Sequence, residues 1–403
     1  MKCIIRQYGL GGGAPRSILQ HIKALKQLSY DDIECMTRNT DSQLLAEFEK
    51  EVNQVITRIS PAELCFSRKY ISAFKEYLWE YRYIKDHKPD LAIALGQLNG
   101  VLYTNICKKL GVPLIIYIAG GEIKQHDACI GLWHDCEVVC FSIENADFIT
   151  RQFSEDHTNV ISNRIDIKER FGDIDSHYMI SNNEVNVLIV SRLDPRKIES
   201  VYSLLNVLTK CATNDLIINV KIAGKGSYEE ELKKFCEQKQ TDNLKIELLG
   251  QVHNLTEQFR WAHVVAGKGR SVIEPIMMNR IGCVIGEDGK MEFCDQDSFD
   301  NLYHYNFSGR KLKNEDPYTE VYGMLTKIKN GQIDDEFILN TADMTIQQYS
   351  KEFLPDKLKR VLEKTPSTVH PNRHVSILFH YIRVVAKYVL YEILYKKEWR
   401  NNV

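Results

Sequence analysis

The residues best placed for chemistry are two cations and a carboxylate. The apolar β-forming run Val187-Leu188-Ile189-Val190 ends in Ser191-Arg192-Leu193-Asp194, and Lys197 follows just beyond. A buried strand that delivers a fixed guanidinium and an ammonium at its carboxyl end makes a clamp for a doubly charged anion. Further on, Gly269-Arg270-Ser271-Val272-Ile273-Glu274-Pro275 reads as a glycine-led turn entering a helix with a carboxylate in its first turns. Cations and helix N–H groups suit paired phosphates, and Glu274 suits a ribose hydroxyl, so the set reads as a grip on a nucleotide diphosphate. Plainer readings compete. Arg196 makes the first segment equally a solvated basic loop, Glu274 equally an acid complementing a helix dipole, and Arg270 either a phosphate ligand or a surface cation.

The loop Gly9-Leu10-Gly11-Gly12-Gly13-Ala14 fits between a first strand and a helix. Its glycines also match the dinucleotide fingerprint, which would make the chain a nucleotide-dependent oxidoreductase. Such a site wants an acid at the end of the second strand, and that region ends in Thr37-Arg38. Gly224-Lys225-Gly226-Ser227 lacks the glycine spacing of a phosphate-binding P-loop. Cys136 and Cys140, near His126 and His134, have the residue types of a zinc site. Cys140 lies within the apolar run Val138-Val139-Cys140-Phe141, where a buried thiol is the usual occupant, so no metal is expected.

These residues need a scaffold. The chain has 403 residues, more than one core comfortably holds, so two domains are expected. A net charge of −2 argues against a nucleic-acid partner, so a cationic site must be local. Eleven scattered cysteines and no signal-like start imply free thiols in a reducing cytosol. No apolar run is long enough to span a membrane.

The first part alternates strand and helix patterns. Strands are expected at Cys3–Tyr8, Leu91–Leu95, Leu114–Ile118, Glu137–Phe141 and Asn159–Ile161, and helices over 14–28, 70–85 and 101–110. The polar stretch 166–186 interrupts the rhythm as a boundary and hinge. A second series follows, with strands at 187–190, 217–223, 246–249, 264–265 and 283–285 separated by helices, and one more helix over about 345–364. Short apolar strands alternating with helices imply an α/β fold: two doubly wound Rossmann-like domains facing across a cleft, with ligand at the carboxyl ends of the strands.

The order of motifs resembles the retaining family 4 group of GT-B fold glycosyltransferases, over roughly residues 1–350. Gly11-Gly12-Gly13 resembles the family's N-terminal loop against the donor phosphates and sugar. Asn163-Arg164-Ile165-Asp166 resembles the Asn-Gly-Val-Asp that ends the first domain. Ser191-Arg192-Leu193 with Lys197 matches the Gly-Arg-Leu…Lys motif that holds the donor pyrophosphate. Ala223-Gly224-Lys225-Gly226 resembles the Gly-x-Gly turn, and Leu249-Gly250-Gln251-Val252 the segment near the nucleobase. Glu274 matches the second glutamate of the Glu-seven-residues-Glu motif. The departures are specific. The first glutamate of that motif falls at Ala266, the glycine after the lysine is Ile198, and Ala119-Gly120-Gly121-Glu122 replaces a frequent histidine near the acceptor. Gly-Arg-Ser-x-x-Glu, with Asn306-Phe307-Ser308-Gly309-Arg310, resembles a bacterial subset of the family.

The resemblance implies a retaining, metal-independent transfer of a hexosyl group from a nucleotide-diphosphate sugar to a glycan or lipid-linked acceptor, serving polysaccharide biosynthesis. A UDP-sugar is favoured and a GDP-sugar is the alternative; the donor is a co-substrate, with no permanently bound cofactor. Arg192, Lys197 and Glu274 would be catalytic. Gly12, Gly13, Gly224, Gly226, Val252, Gly269, Arg270, Ser271 and Val272 would line the donor, and Glu122 and His126 the acceptor side. The implied domains are 1–170 for the acceptor, a 171–186 hinge, 187–345 for the donor, and 346–403 as helices returning to the first domain.

The last segment, 373–400, is unusually apolar and tyrosine-rich, and Arg383 and Lys387 exclude a spanning helix. It reads as an interfacial helix on anionic lipid, making the protein peripheral on the inner face of the plasma membrane, as a helix packed on the first domain, or as both on different faces. Ala266 motivates an alternative function, a non-catalytic GT-B subunit supporting a partner glycosyltransferase.

Overall fold

The computed structural model describes residues 1–10, 13–119, 136–152, 157–162, 164–172, 184–195, 197–365 and 376–400. The chain divides into two compact units, Met1–Arg164 with Lys351–Val403, and Ile165–Ser350. Among the described residues each unit is built on one sheet.

The first unit's sheet comprises β1 (Lys2–Gly9), β2 (Asp32–Arg38), β3 (Gln54–Thr57), β4 (Leu91–Leu95), β5 (Leu114–Ile118), β6 (Glu137–Cys140) and β7 (Thr158–Val160). All pair parallel, in the order β3-β2-β1-β4-β5-β6-β7. The central strands β4 (LAIAL) and β5 (LIIYI) are wholly buried, as a parallel sheet covered on both faces requires. Alternation along β1 divides the core. Cys3 and Ile5 pack with Ile18 and Ile22 of helix Gly13–Gln27, whereas Ile4 packs on the other face with Tyr77 and Ile106.

The C-terminal helices close both faces. Leu354, Leu358 and Val361 of helix Leu354–Lys364 join the Ile5 side. Ile377, Tyr381 and Val384 of helix Ile377–Arg400 join the Ile4 side, against helices Tyr70–His87 and Gln97–Leu110. Tyr381 Oη donates to the Tyr70 carbonyl at 2.6 Å, and a His380 ring nitrogen lies 3.2 Å from the Val101 carbonyl. One face of this helix is therefore packed on the first unit, and Tyr381 belongs to the core.

The second unit's sheet comprises β8 (Glu184–Val190), β9 (Ile217–Ala223), β10 (Leu244–Gly250), β11 (Val264–Gly267), β12 (Ile281–Ile285) and β13 (Met291–Phe293). Its order is β10-β9-β8-β11-β12-β13, parallel except for the antiparallel edge strand β13. Val187 and Ile189 of β8 pack with Val201 and Leu205 of helix Ile198–Cys211, and Leu188 packs oppositely with Val272 and Ile276.

Two expectations change. Of the stretch 171–186, Glu184–Asn186 is already strand: Val185 is buried, the Asn186 N–H donates to His263 Nδ1, and the Asn186 amide donates to the Trp261 carbonyl. Its polarity reflects satisfied hydrogen bonds rather than a linker. The helix expected over 345–364 is two, Asp335–Tyr349 and Leu354–Lys364. Ser350 leaves the helical region with ψ 142° and bridges to Ile165, and Pro355 opens the second helix.

Candidate functional site

The carboxyl ends of β8, β9, β10 and β11 come out at one level. Val190 pairs with Ala223 on one side and Gly267 on the other, and Ala223 pairs with Gly250. The turns that follow are laced by backbone hydrogen bonds. Ser191 N–H donates to the Ala223 carbonyl, Leu193 N–H to Lys225, Tyr228 N–H to Leu193 and Gly224 N–H to Gly250, at 2.8–3.1 Å. A Cβ at Gly224 would strike the Ser191 carbonyl oxygen, and one at Gly226 the Leu193 carbonyl oxygen. The structure thus gives both glycines a definite task, letting two loops touch so that the segment carrying Arg192 is held firmly.

Arg192 reaches outward, its side chain 74% exposed, with the guanidinium 3.3 Å from Asp194. Lys197 sits at the entry of helix Ile198–Cys211 and is half-buried. Burial, and then the charge of Arg192, hold its ammonium below the usual lysine range; Lys268 adds to the effect, against Asp194 and Glu287. The Arg192 charge thus opposes that of Lys197, and an anion between them would relieve the opposition.

Lys268 is a cation the sequence reading passed over. It leaves β11 beside the point where Ser191 leaves β8, its side chain 11% exposed and its Nζ 3.4 Å from Glu287. Burial lowers its pKa, and Arg310 lowers it further, against the opposing pull of Glu287. Arg310 comes from the loop after helix Phe299–His304, which reaches the same edge through the hydrogen bond from Gly269 N–H to the Phe307 carbonyl. The signal was present in the sequence: Lys268 follows an apolar strand just as Arg192 does.

Helix Arg270–Ile276 is seven residues long and begins after Gly269, whose φ of +60° favours glycine. Arg270 Nε donates to Glu274 Oε1 at 2.8 Å across one helical turn, with both side chains largely buried. Arg270 is thus a partner that fixes Glu274 rather than a solvated cation. Two of the residues expected to line the donor also shape the turn itself. Ser271 Oγ accepts from Lys268 N–H and donates to the Lys268 carbonyl, closing the turn. The Val272 side chain is in the core, and its N–H donates to the Gly269 carbonyl. Val252 is partly buried after β10.

In the first unit Gly13 is the first residue of its helix. Gly12, Glu122, His126, His134, Asn163 and Arg196 lie outside the described residues. Cys136 and Cys140 are buried, and burial pushes the Cys140 thiol upward. Among the described residues no three His, Cys, Asp or Glu side chains gather as metal ligands. Ala266, where the family motif has its first glutamate, lies within β11 between Ile189 and Cys283, fully buried.

No family model and no curated protein matches the sequence. Solved structures do match. A glycosyltransferase from Rickettsia africae aligns with a TM-score of 0.66 at 14% identity, covering 90% of this chain and 98% of that one. Anabaena HepE in complex with UDP and glucose aligns at 0.65 and 15%, covering 90% and 100%. S. aureus TarM, in complex with fondaparinux, α-GlcNAc-glycerol and UDP, aligns at 0.59 and 14%, covering 90% and 99%. This chain has the fold those proteins share, the GT-B fold of glycosyltransferases.

Proposed function

We propose that this protein is a retaining, metal-independent glycosyltransferase that moves a sugar from a UDP-sugar to a glycan or lipid-linked acceptor, working on the cytoplasmic side of a membrane. The observation that carries the reading is the cation cluster at the carboxyl edge of the second sheet, where Lys197 meets the charges of both Arg192 and Lys268 and Glu274 is held by Arg270. Like charges crowded together destabilise the empty site, and a diphosphate relieves that repulsion. The nucleotides and sugars in the HepE and TarM structures support the same donor class.

The chemistry follows from charge. As the anomeric bond breaks, the sugar gains oxocarbenium character and the departing diphosphate gains negative charge. Arg192 and Lys197 neutralise that charge, and Lys268, exchanging Glu287 for phosphate, adds to it. Glu274 accepts from the ribose hydroxyls. By resemblance, the acceptor attacks on the face the leaving group vacates, with no protein nucleophile, so the anomeric configuration is kept.

The second reading, a non-catalytic GT-B subunit, rests on Ala266. That position is core in this chain, so the carboxylate expected near the donor sugar is missing. Release of UDP or GDP from a panel of UDP- and GDP-sugars, measured with and without a chelator, separates the readings. The enzyme releases UDP from one UDP-sugar, unaffected by chelation. A protein that gains thermal stability with UDP yet turns over no donor is the subunit.

A further inference from the structure

We infer that the outward face of helix Ile377–Arg400 over residues 377–390, together with the turn at Phe66–Ile71, is a docking surface for an anionic lipid bilayer. The segment's core contacts are made by Ile377, Tyr381 and Val384. One turn around the helix, Leu378, Phe379, Ile382 and Leu390 are 51–69% exposed, with exposed Arg383, Ala386 and Lys387 in the same stripe. A soluble face would carry polar residues at these positions.

The surface extends beyond one helix. The helix passes Tyr70 at Tyr381 and Phe66 at Tyr388, where the rings lie 5.8 Å apart. Those contacts place Phe66, 50% exposed, and Ile71, 78% exposed, beside the helix. Charge identifies the occupant. Residues 66–75 and 376–390 contain five Lys or Arg (Arg68, Lys69, Lys75, Arg383 and Lys387) and no Asp or Glu, in a chain whose net charge is −2. Aromatic and aliphatic side chains entering the headgroup boundary, with cations beside them, suit anionic lipid. A second copy meeting this face through a two-fold axis would set the same cations against each other. Among the described residues no helix is long and apolar enough to cross a membrane, so the helix would lie on the surface.

Co-sedimentation of the full chain with vesicles tests this. Binding is expected to phosphatidylcholine vesicles containing about one-third phosphatidylglycerol, and to weaken in high salt, which screens surface charge. Binding to pure phosphatidylcholine should be at least roughly tenfold weaker. Arg383→Glu with Lys387→Glu, and separately Phe379→Ser with Ile382→Ser, should each reduce binding at least roughly tenfold. All four positions are exposed, so the melting temperature should hold in both variants. Equal binding to neutral vesicles, no vesicle binding, or full retention in either variant overturns the proposal. So does a wild-type dimer that both variants convert to monomer, since the face would then be covered by a second copy. The proposal does not depend on catalysis, and UDP-induced thermal stabilisation reports on the donor site independently of vesicle binding.

Discussion

Both units place arginine on the first strand of a sheet or just past it, with opposite consequences. Arg6 lies within β1, fully buried, its Nε 3.1 Å from Glu80 of helix Tyr70–His87, which is also buried. Burial pushes the Glu80 carboxyl upward while Arg6 pulls it down. A second arginine supports the pair: Arg58 accepts an Arg6 N–H at its carbonyl, makes two 2.8 Å hydrogen bonds to Glu76, and lies over Trp79. Arg192, by contrast, stands beyond the end of β8, mostly exposed, with its charge opposing that of Lys197, which also meets the charge of Lys268. A cation matched by a buried acid is committed to the fold. Crowded, half-exposed cations at the carboxyl edge of a parallel sheet are held for a ligand.

Breaking the buried pair should have the largest effect on stability. Glu80→Ala leaves Arg6 charged and uncompensated in the core, and should cost about 3–5 kcal/mol, read by denaturant unfolding. The cations of the second unit should behave in the opposite way. Arg192→Ala or Lys197→Ala should lower sugar transfer about 10²–10³-fold while leaving the unfolding midpoint in place. A variant that keeps full transfer would remove Arg192 or Lys197 from the proposed mechanism. Lys268→Ala should do less, because Lys268 gives up an ion pair with Glu287 to meet phosphate. A loss of roughly tenfold in UDP affinity is expected by titration calorimetry, in the range of one charge-assisted contact. No loss would return Lys268 to a structural role beside Glu287.

The same contrast explains what could be read in the sequence. The strands β4, β5 and β12 are continuous apolar runs, so their burial is written into their composition. Strand β3 (QVIT) is a half-exposed edge and carries no such run. The helices Asp335–Tyr349 and Leu354–Lys364 were read as one because amphipathic residues continue across Ser350, and only the Ile165 bridge and the proline entry separate them. At the candidate site, Arg192, Lys197 and Glu274 draw notice in the sequence because charge beside an apolar strand, or inside a short helix, stands out. For Ser271 and Val272, spacing does not reveal that the hydroxyl also closes its own turn or that the valine side chain faces inward. Arg6 lay within an otherwise apolar strand, but its partner is 74 residues away in sequence, and only tertiary packing identifies it.

The smallest expected effect, the pH dependence of UDP binding, sharpens the distinction between the two kinds of cation. Lys197 and Lys268 both have pKa values held below 10.5 in the free protein, with burial the first cause in each. Bound diphosphate favours their charged forms and raises those values, so binding takes up protons. Above the second pKa of the UDP phosphate, about 6, affinity should therefore stay flat until pH rises through the free-protein lysine values, and then fall by up to about one decade per pH unit for each lysine involved. Calorimetry in buffers of different ionisation heat would register the proton uptake directly. Lys197→Arg keeps a charge that does not titrate in this range, and should flatten the profile even if the planar guanidinium fits the phosphates less well. An unchanged profile in that variant would mean Lys197 meets no phosphate, and the crowding at the sheet edge would need another ligand.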